Sequence, residues 1–381
     1  MARATPNPDN RLSIDLGALE HNLAALRRLL PAGSRVAGVV KADAYGHGLL
    51  PVARRLQAQG AEALAVAILA EGQALRRGGV AGPVWLLLGV RPAQALLAAE
   101  LGLTPICGDL EAFKALDAAG QALGRPVACQ LKVDTGMSRL GVPHHEALEF
   151  LTALRPLKGI QISGLASHLA TSGDPASRQA AQQARRFAQV LTSARQAGWP
   201  LPDSSLAGSG GTLVPPPQSP GPPAFARLGI SLYGGLPDPA SAGLADLRPV
   251  MRFATRLLAV RRIKAGDVVS YGATWQAPAD TWLGALPVGY SDGYPRALSN
   301  RGQVLVGGEL APVRGRVCMN LTMVDLGGLR RLPAVGEEVV LLGRQGQREI
   351  TADQLGTWAG TISYEITCGL GAANRRRPGA S

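Results

Sequence analysis

Cysteine is scarce in this chain and what there is stands apart: Cys107, Cys129, Cys318 and Cys368 include no CxxC pair. That excludes a sequence-encoded zinc site and a disulfide framework, and it fits a reducing compartment. Aromatic residues make up only 4% of 381 residues, and the arginines behind a net charge of +12 are scattered along the chain. A nucleic-acid surface needs a basic stripe interleaved with stacking residues, so no nucleic-acid partner is expected. A basic surface still favours anionic small molecules through electrostatic steering. No window approaches the roughly 18 uninterrupted apolar residues of a membrane span. The start, "MARATPNPDNRLSIDL", has no apolar stretch after its charges. We therefore expect a soluble, cytoplasmic protein with no membrane partner and no metal.

Lysine is the other rarity, with five lysines against 34 arginines. In so arginine-rich a chain, a lysine is expected where arginine cannot substitute. Lys114 falls on a polar helix face, Lys158 in the turn "LRPLKG" and Lys264 in "KAGD", and each has an easy solvated explanation. Lys41 and Lys132 do not, because both close apolar strand runs, "VAGVVK" and "VACQLKVD".

What is present in quantity is hydrophobic residue, 46% of the chain, enough for a large core and, at this length, two domains. Short apolar runs alternate with Ala/Leu/Arg stretches of helical period over the first 235 or so residues, the rhythm of βαβ units around a parallel sheet. The runs lie at 36–41, 63–69, 83–89, 103–108, 127–134, 162–168, 204–209 and 226–232. Eight such runs predict a closed (β/α)8 TIM-type barrel over residues 1–240. From about residue 245 the texture becomes short alternating strands and turns. It predicts a mainly antiparallel β domain over 241–381, with one helix near "TADQLGTWAG". "VPPPQSPGPP" (214–223) reads as an extended loop, and the basic end "NRRRPGAS" as a solvated tail.

In such a barrel the active site lies at the C-terminal ends of the strands, where Lys41 ends the first run. A partly desolvated lysine there has a lowered pKa and can form a Schiff base with an aldehyde; the competing reading is a lysine that reaches out to solvent. Arg139, in "VDTGMSRLG" after Lys132, either points its fork of donors into the barrel mouth to meet a carboxylate or is a surface arginine. His168 ends the sixth run and is either a structural histidine or a site residue. "AGSGG" (207–211) and "ARLGISLYGG", with Arg227, sit where barrels of this kind bind phosphate.

Taken together, "VVKADAYGHG", "LKVDTGMSRLG", "ARLGISLYG", "VSYGATW", "LPVGYSDGY", "GRVCMN" and "SYEITCGL" resemble the alanine racemases in order and spacing over nearly the whole chain. That family uses pyridoxal 5'-phosphate and joins a (β/α)8 barrel to a C-terminal β domain. The resemblance implies that Lys41 holds the cofactor and that Tyr271 is the second catalytic base. It implies cofactor contacts from Tyr45, His168, Ser209, Arg227, Gly229, Ile230 and Tyr364, and substrate carboxylate contacts from Arg139 and Met319. In many members the lysine matching Lys132 is carbamylated and braces the arginine. Members are homodimers with shared active sites, so Tyr271 and Met319 would serve the partner's site. The implied function is interconversion of L- and D-alanine, an isomerase reaction that supplies D-alanine for peptidoglycan. Racemisation takes the α-hydrogen from one face and returns it to the other, which calls for two acid/base groups on opposite sides of a planar cofactor.

The alternatives are a racemase of broader small amino-acid range, a barrel-fold pyridoxal-phosphate decarboxylase and a non-catalytic pyridoxal-phosphate-binding protein. A decarboxylase of that kind typically directs an acidic residue to the pyridine nitrogen, where this chain offers Arg227. Three departures from the family pattern stand out: Asn320 where many relatives read Asp, a long proline-rich loop, and Ser138 in place of a frequent glycine.

Overall fold

A computed structural model of the chain describes residues 7–174, 176–216 and 225–379. The first strand, β1 (Arg11–Ile14), leads into a helix over Leu16–Arg27 whose start is fixed by Asp15. The Asp15 carboxylate accepts from the backbone N–H groups of Gly17 and Ala18 at 2.8 and 3.0 Å, two donors that a helix leaves unpaired at its first turn. The eight expected runs then form β2 (Arg35–Val39), β3 (Ala63–Val66), β4 (Val84–Leu86), β5 (Thr104–Cys107) and β6 (Val127–Asp134), followed, after the two-residue β7 (Val142–Pro143), by β8 (Ile160–Ala166), β9 (Ser205–Gly208) and β10 (Phe225–Leu228). All eight pair in parallel with their neighbours in chain order, and β10 returns to pair with β2. The sheet is therefore a closed barrel, and sequential pairing follows because each crossover helix returns the chain to the adjacent strand.

Every residue of β3 and β5 is buried, which is why these strands read as unbroken apolar runs and not as alternations. Two of the crossover helices start where short polar side chains cap them. Asp109 accepts from Ala112 N–H at 2.8 Å at the start of Leu110–Ala122, and Ser177 does the same for Ala180 at 3.1 Å at the start of Arg178–Gln196.

The second domain holds β11 (Met251–Arg256), β12 (Ala259–Ile263), β13 (Thr281–Leu286), β14 (Gln303–Val306), β15 (Glu309–Pro312), β16 (Thr322–Asp325), β17 (Glu338–Gln345), β18 (Arg348–Ile350) and β19 (Arg376–Pro378). One sheet runs β15-β14-β17-β11-β1-β19 with β18 on β17, and a second runs β12-β13-β16. One strand crosses the sequence order: β1, from the start of the chain, lies between β11 and β19 in the second domain's sheet. The expected helix forms over Ala352–Ala359, and a second, unexpected one follows over Ser363–Ala373. Glycines and β-branched residues in "SYEITCGLGAA" weaken its intrinsic helix preference, and packing of Ile366 and Leu370 into the core overrides it.

The basic end is not a free tail. Arg376–Pro378 pair in parallel with Leu12–Ile14, because a strand edge offers the backbone partners that water otherwise supplies. Of the proline-rich run 214–223, residues 217–223 lie outside the described residues. Among the described residues, no helix is long and apolar enough to cross a membrane, and no group of three metal-ligating side chains occurs.

Candidate active site at the barrel mouth

β2 delivers Lys41 to the C-terminal rim, and the chain then turns in an uncommon way. Ala42, Asp43, Ala44 and Tyr45 have φ of +52°, +55°, +55° and +53°, a left-handed turn without a glycine. Each such residue costs roughly 1–2 kcal/mol, so the surroundings must hold the turn. Glu71 accepts from Ala42 N–H at 2.6 Å, and Asp43 from Leu49 N–H at 2.7 Å. Arg376 donates to Asp43 and, at 2.6 Å, to the Gly46 carbonyl. His47 is fully buried, which pushes its pKa down to about 4, and its neutral ring meets the carbonyls of Ala44 and Tyr45 through Nδ1 at 2.9 and 3.0 Å. Gly46 has φ +83°, and a Cβ there would lie 2.2 Å from the Thr367 carbonyl oxygen, so only glycine lets the helix over Ser363–Ala373 approach.

The turn sets Lys41 in a cationic, partly desolvated place. Its amine lies 6.0 Å from the centre of the Tyr45 ring. Burial, and then the charge of Arg139, lower its pKa; Glu71 and Cys368 oppose them, and Arg227 adds a smaller lowering effect. Lys132, at the end of β6, is pushed down to about 7 by burial and by the same two arginines. Lys132, Arg139, Ser167 and His168 line one small cavity, although the Arg139 side chain itself is exposed.

Arg227 is buried, and both of its terminal nitrogens are engaged. It donates to the Ser205 hydroxyl, to the Ser167 carbonyl, and at 3.1 Å each to the Leu206 carbonyl and to Nδ1 of His168. Burial lowers its pKa to about 10, which leaves it cationic at neutral pH. An arginine can only donate, so Nδ1 of His168 accepts and the imidazole is neutral. Burial first, then Arg227, Lys132, Arg139 and Lys41, push the His168 pKa down to about 2.

Across the mouth, Ser209 Oγ accepts from the N–H of Gly229 at 2.9 Å and of Ser231 at 3.4 Å, joining the turn after β9 to the turn after β10, where Ile230 begins a 3-10 turn. A Cβ on Gly229 would lie 2.6 Å from the Tyr45 hydroxyl oxygen, so glycine keeps open a cradle between the two turns. The Tyr45 and Tyr364 rings lie 5.8 Å apart, which brings the second domain's helix to the same rim. Among the described residues, the buried hydroxyls of Ser231 and Thr212 have no hydrogen-bond partner. Such orphaned donors beside glycine-rich turns suit a phosphate, so these residues fit the phosphorylated cofactor that the sequence resemblance implies.

The structure gathers Lys41, Tyr45, Arg139, His168, Ser209, Arg227, Gly229, Ile230 and Tyr364 at one rim. Tyr271 and Met319 stand on the second domain, 75% and 56% exposed. The cavity beside Tyr271 is lined by Ser270, Cys318, Leu321, Met323 and neighbours, with no barrel residue. Sequence reasoning missed Ser205, Glu71 and Arg376, whose contacts depend on distant chain and carry no local signal.

Two of the departures acquire a physical meaning. Asn320 donates to Ser291 Oγ at 2.6 Å, and that hydroxyl in turn donates to the Met319 carbonyl at 2.8 Å. An ionised Asp in that place could not donate, and would compete with Met319 for the serine proton. Ser138 has φ +56°, so it carries about 1 kcal/mol that glycine would avoid.

Known proteins share this arrangement. The family model "Alanine racemase, N-terminal domain" matches residues 14–237, and "Alanine racemase, C-terminal domain" matches 250–378. The alanine racemase of Geobacter sulfurreducens is 40% identical over 364 residues, 94% of each chain. Among solved structures, alanine racemase from D-cycloserine-producing Streptomyces lavendulae superposes with a TM-score of 0.90 at 34% identity, covering 99% of this chain and 98% of that one. Alanine racemase from Bartonella henselae, solved with covalently bound pyridoxal phosphate, superposes with a TM-score of 0.86 at 28% identity, covering 98% and 100%.

Proposed function

The chain belongs to the alanine racemase family, an isomerase family, and from that premise we propose how its residues interconvert L- and D-alanine with pyridoxal 5'-phosphate. The observation that carries the reading is the amine of Lys41, its pKa lowered by burial and by Arg139 and Arg227 at the end of β2. A lysine whose pKa is lowered gives up its proton more readily, which favours it as a nucleophile toward an aldehyde and as a base toward a C–H group. When bound through Lys41, the cofactor supplies an electron sink for the pair left on Cα as the α-hydrogen leaves.

The residues of this chain do the rest. Ser209, Tyr45, Tyr364 and the backbone of Gly229 and Ile230 would hold the phosphate. His168 packs beside the ring as a neutral imidazole. Arg227 donates to the pyridine nitrogen; because it stays cationic, it disfavours a proton on that nitrogen and tempers the sink, which limits side reactions. Arg139 holds the phenolic oxygen of the cofactor and the substrate carboxylate, with the backbone N–H of Met319 on the other side of that carboxylate. Lys41 moves a proton on one face of Cα and Tyr271 on the other. Tyr271 and Met319 are exposed on the second domain. We infer that they enter the barrel mouth of a second copy, so that a homodimer carries two shared sites. In the cytoplasm such an enzyme would supply D-alanine for peptidoglycan.

The test is incubation of the purified protein and pyridoxal phosphate with each L-amino acid, followed by chiral chromatography. D-alanine from L-alanine, and the reverse, is the expected result; a second product enantiomer would set the substrate breadth. Carbon dioxide release without D-alanine would overturn the reading in favour of decarboxylation.

A further inference from the structure

Ser270, the residue before Tyr271, has φ +65° and ψ −177°, a region of backbone space that is essentially glycine's alone. The irregularity continues through Gly272 and Ala273, with φ of +73° and +47°. Glycine would relieve the strain at position 270, so the serine side chain must return something to the fold or to the site. Its hydroxyl donates to the Arg316 carbonyl at 2.7 Å and lies 3.2 Å from Cys318 Sγ. Gly315 makes this approach possible: at φ +72°, a Cβ on it would lie 2.8 Å from the Ser270 Cβ and 2.5 Å from the Val269 carbonyl oxygen.

The far side of the contact is itself held. Gly315 N–H donates to Asn300 Oδ1 at 2.5 Å, and Val317 N–H to Ser299 Oγ at 2.9 Å. Asn300 also reaches the Thr274 hydroxyl at 3.1 Å, so the stretch 270–274 is tied to the stretch 315–319 at both ends. Met319 is anchored through its carbonyl, which accepts from the N–H and the hydroxyl of Ser291 at 3.0 and 2.8 Å. The Tyr271 hydroxyl, by contrast, has no hydrogen bond among the described residues, and its ring is exposed. Its place is set by its backbone, and its backbone is set by Ser270.

The geometry points to Ser270 as a positioning residue for proton transfer: its hydroxyl bridge to Arg316 fixes the Tyr271 phenol relative to the Met319 backbone. Acid/base group and carboxylate donor then enter the partner's site at one spacing. This rests on the proposed roles of Tyr271 and Met319. Two variants separate the strain from the bridge, since Ser270→Ala keeps the strain and loses the bridge, and Ser270→Gly loses both.

The holoenzymes are compared on L- and D-alanine carrying hydrogen or deuterium at Cα, with Tyr271→Phe as the reference for a defect on one face. Both Ser270 variants should keep the wild-type cofactor absorbance and lose on the order of tenfold or more in kcat. Their isotope effect should rise for one enantiomer relative to the other, in the same sense as in Tyr271→Phe. A loss of folded enzyme would lower the rate without changing either isotope effect. Wild-type isotope effects in both variants, an equal change for both enantiomers, or full activity in Ser270→Gly would overturn the positioning role. If Tyr271→Phe itself shows no asymmetry while wild type racemises alanine, the Tyr271 role fails first and the Ser270 role falls with it.

Discussion

A lysine amine in water is protonated at neutral pH, and the barrel mouth weakens the hold of Lys41 on that proton. Burial and the positive charges of Arg139 and Arg227 act in one direction, and the Glu71 carboxylate only partly opposes them. The other lysines are poorly placed to take over: Lys132 closes a different strand, and Lys114 is paired with Glu111 on an exposed helix face. We expect Lys41→Ala to lose both the absorbance of lysine-linked cofactor and all racemisation. Absorbance spectra and chiral chromatography check this, and a lysine adduct still trapped by borohydride in that variant would refute the assignment.

At the scale of elements, the left-handed turn after Lys41 depends on the last strand of the chain. Arg376 reaches from β19 to Asp43 and to the carbonyls of Gly46 and Gly371, the last at 2.9 Å. The Asp43 carboxylate is 43% exposed, so the ion pair itself contributes modestly. The two part-buried carbonyls left without a donor matter more, and together their loss should cost about 2 kcal/mol. Arg376→Ala is therefore expected to unfold at a lower denaturant concentration and to bind pyridoxal phosphate more weakly, because relaxation of the turn displaces Lys41 and Tyr45. Denaturant titration and spectroscopic cofactor titration measure the two effects, and unchanged cofactor affinity would separate the tail from the site.

At the scale of the whole molecule, the exposure of Tyr271 and Met319 on one domain and the enclosure of Lys41 in the other motivate the shared-site dimer. Mixing Lys41→Ala subunits with Tyr271→Ala subunits, each inactive alone, should restore activity. One site of each mixed dimer would hold both groups and the other neither, as two-fold symmetry requires. Confirmed subunit exchange without recovered activity would place both bases in one chain.

The buried histidines make a second prediction at this scale. His47 and His168 have folded pKa values of about 4 and about 2, both below the unfolded value near 6.5. Their contribution is fully present above pH 6.5 and declines as the pH falls toward the folded values, because the unfolded chain binds their protons first. At pH 5 each has given up roughly 2 kcal/mol. Unfolding midpoints of the apoprotein should drop between pH 7.5 and pH 5, less steeply in His47→Gln, and a flat profile would count against the burial of these rings in neutral form.

The sequence by itself determined the pieces whose physics is local or periodic. Apolar runs of strand length between helical stretches specified the eight barrel strands, since a parallel strand covered on both faces must be apolar at nearly every position. The scarcity of lysine pointed to Lys41 and Lys132, and both prove to be amines whose burial lowers their basicity. Tertiary structure decided what depends on contacts between distant segments. The helix over Ser363–Ala373 forms because Ile366 and Leu370 find a core, against weak local preference. Arg376 becomes a clamp and not a solvated tail because β1, more than 360 residues earlier, offers it a strand edge. The left-handed turn at Ala42–Tyr45 has no glycine to announce it and exists because Glu71 and Arg376 converge on it from two other places in the chain, with His47 closing it locally. Patterns of hydrophobicity record which face of an element is covered; they do not record what covers it, and that is where the geometry of this site is set.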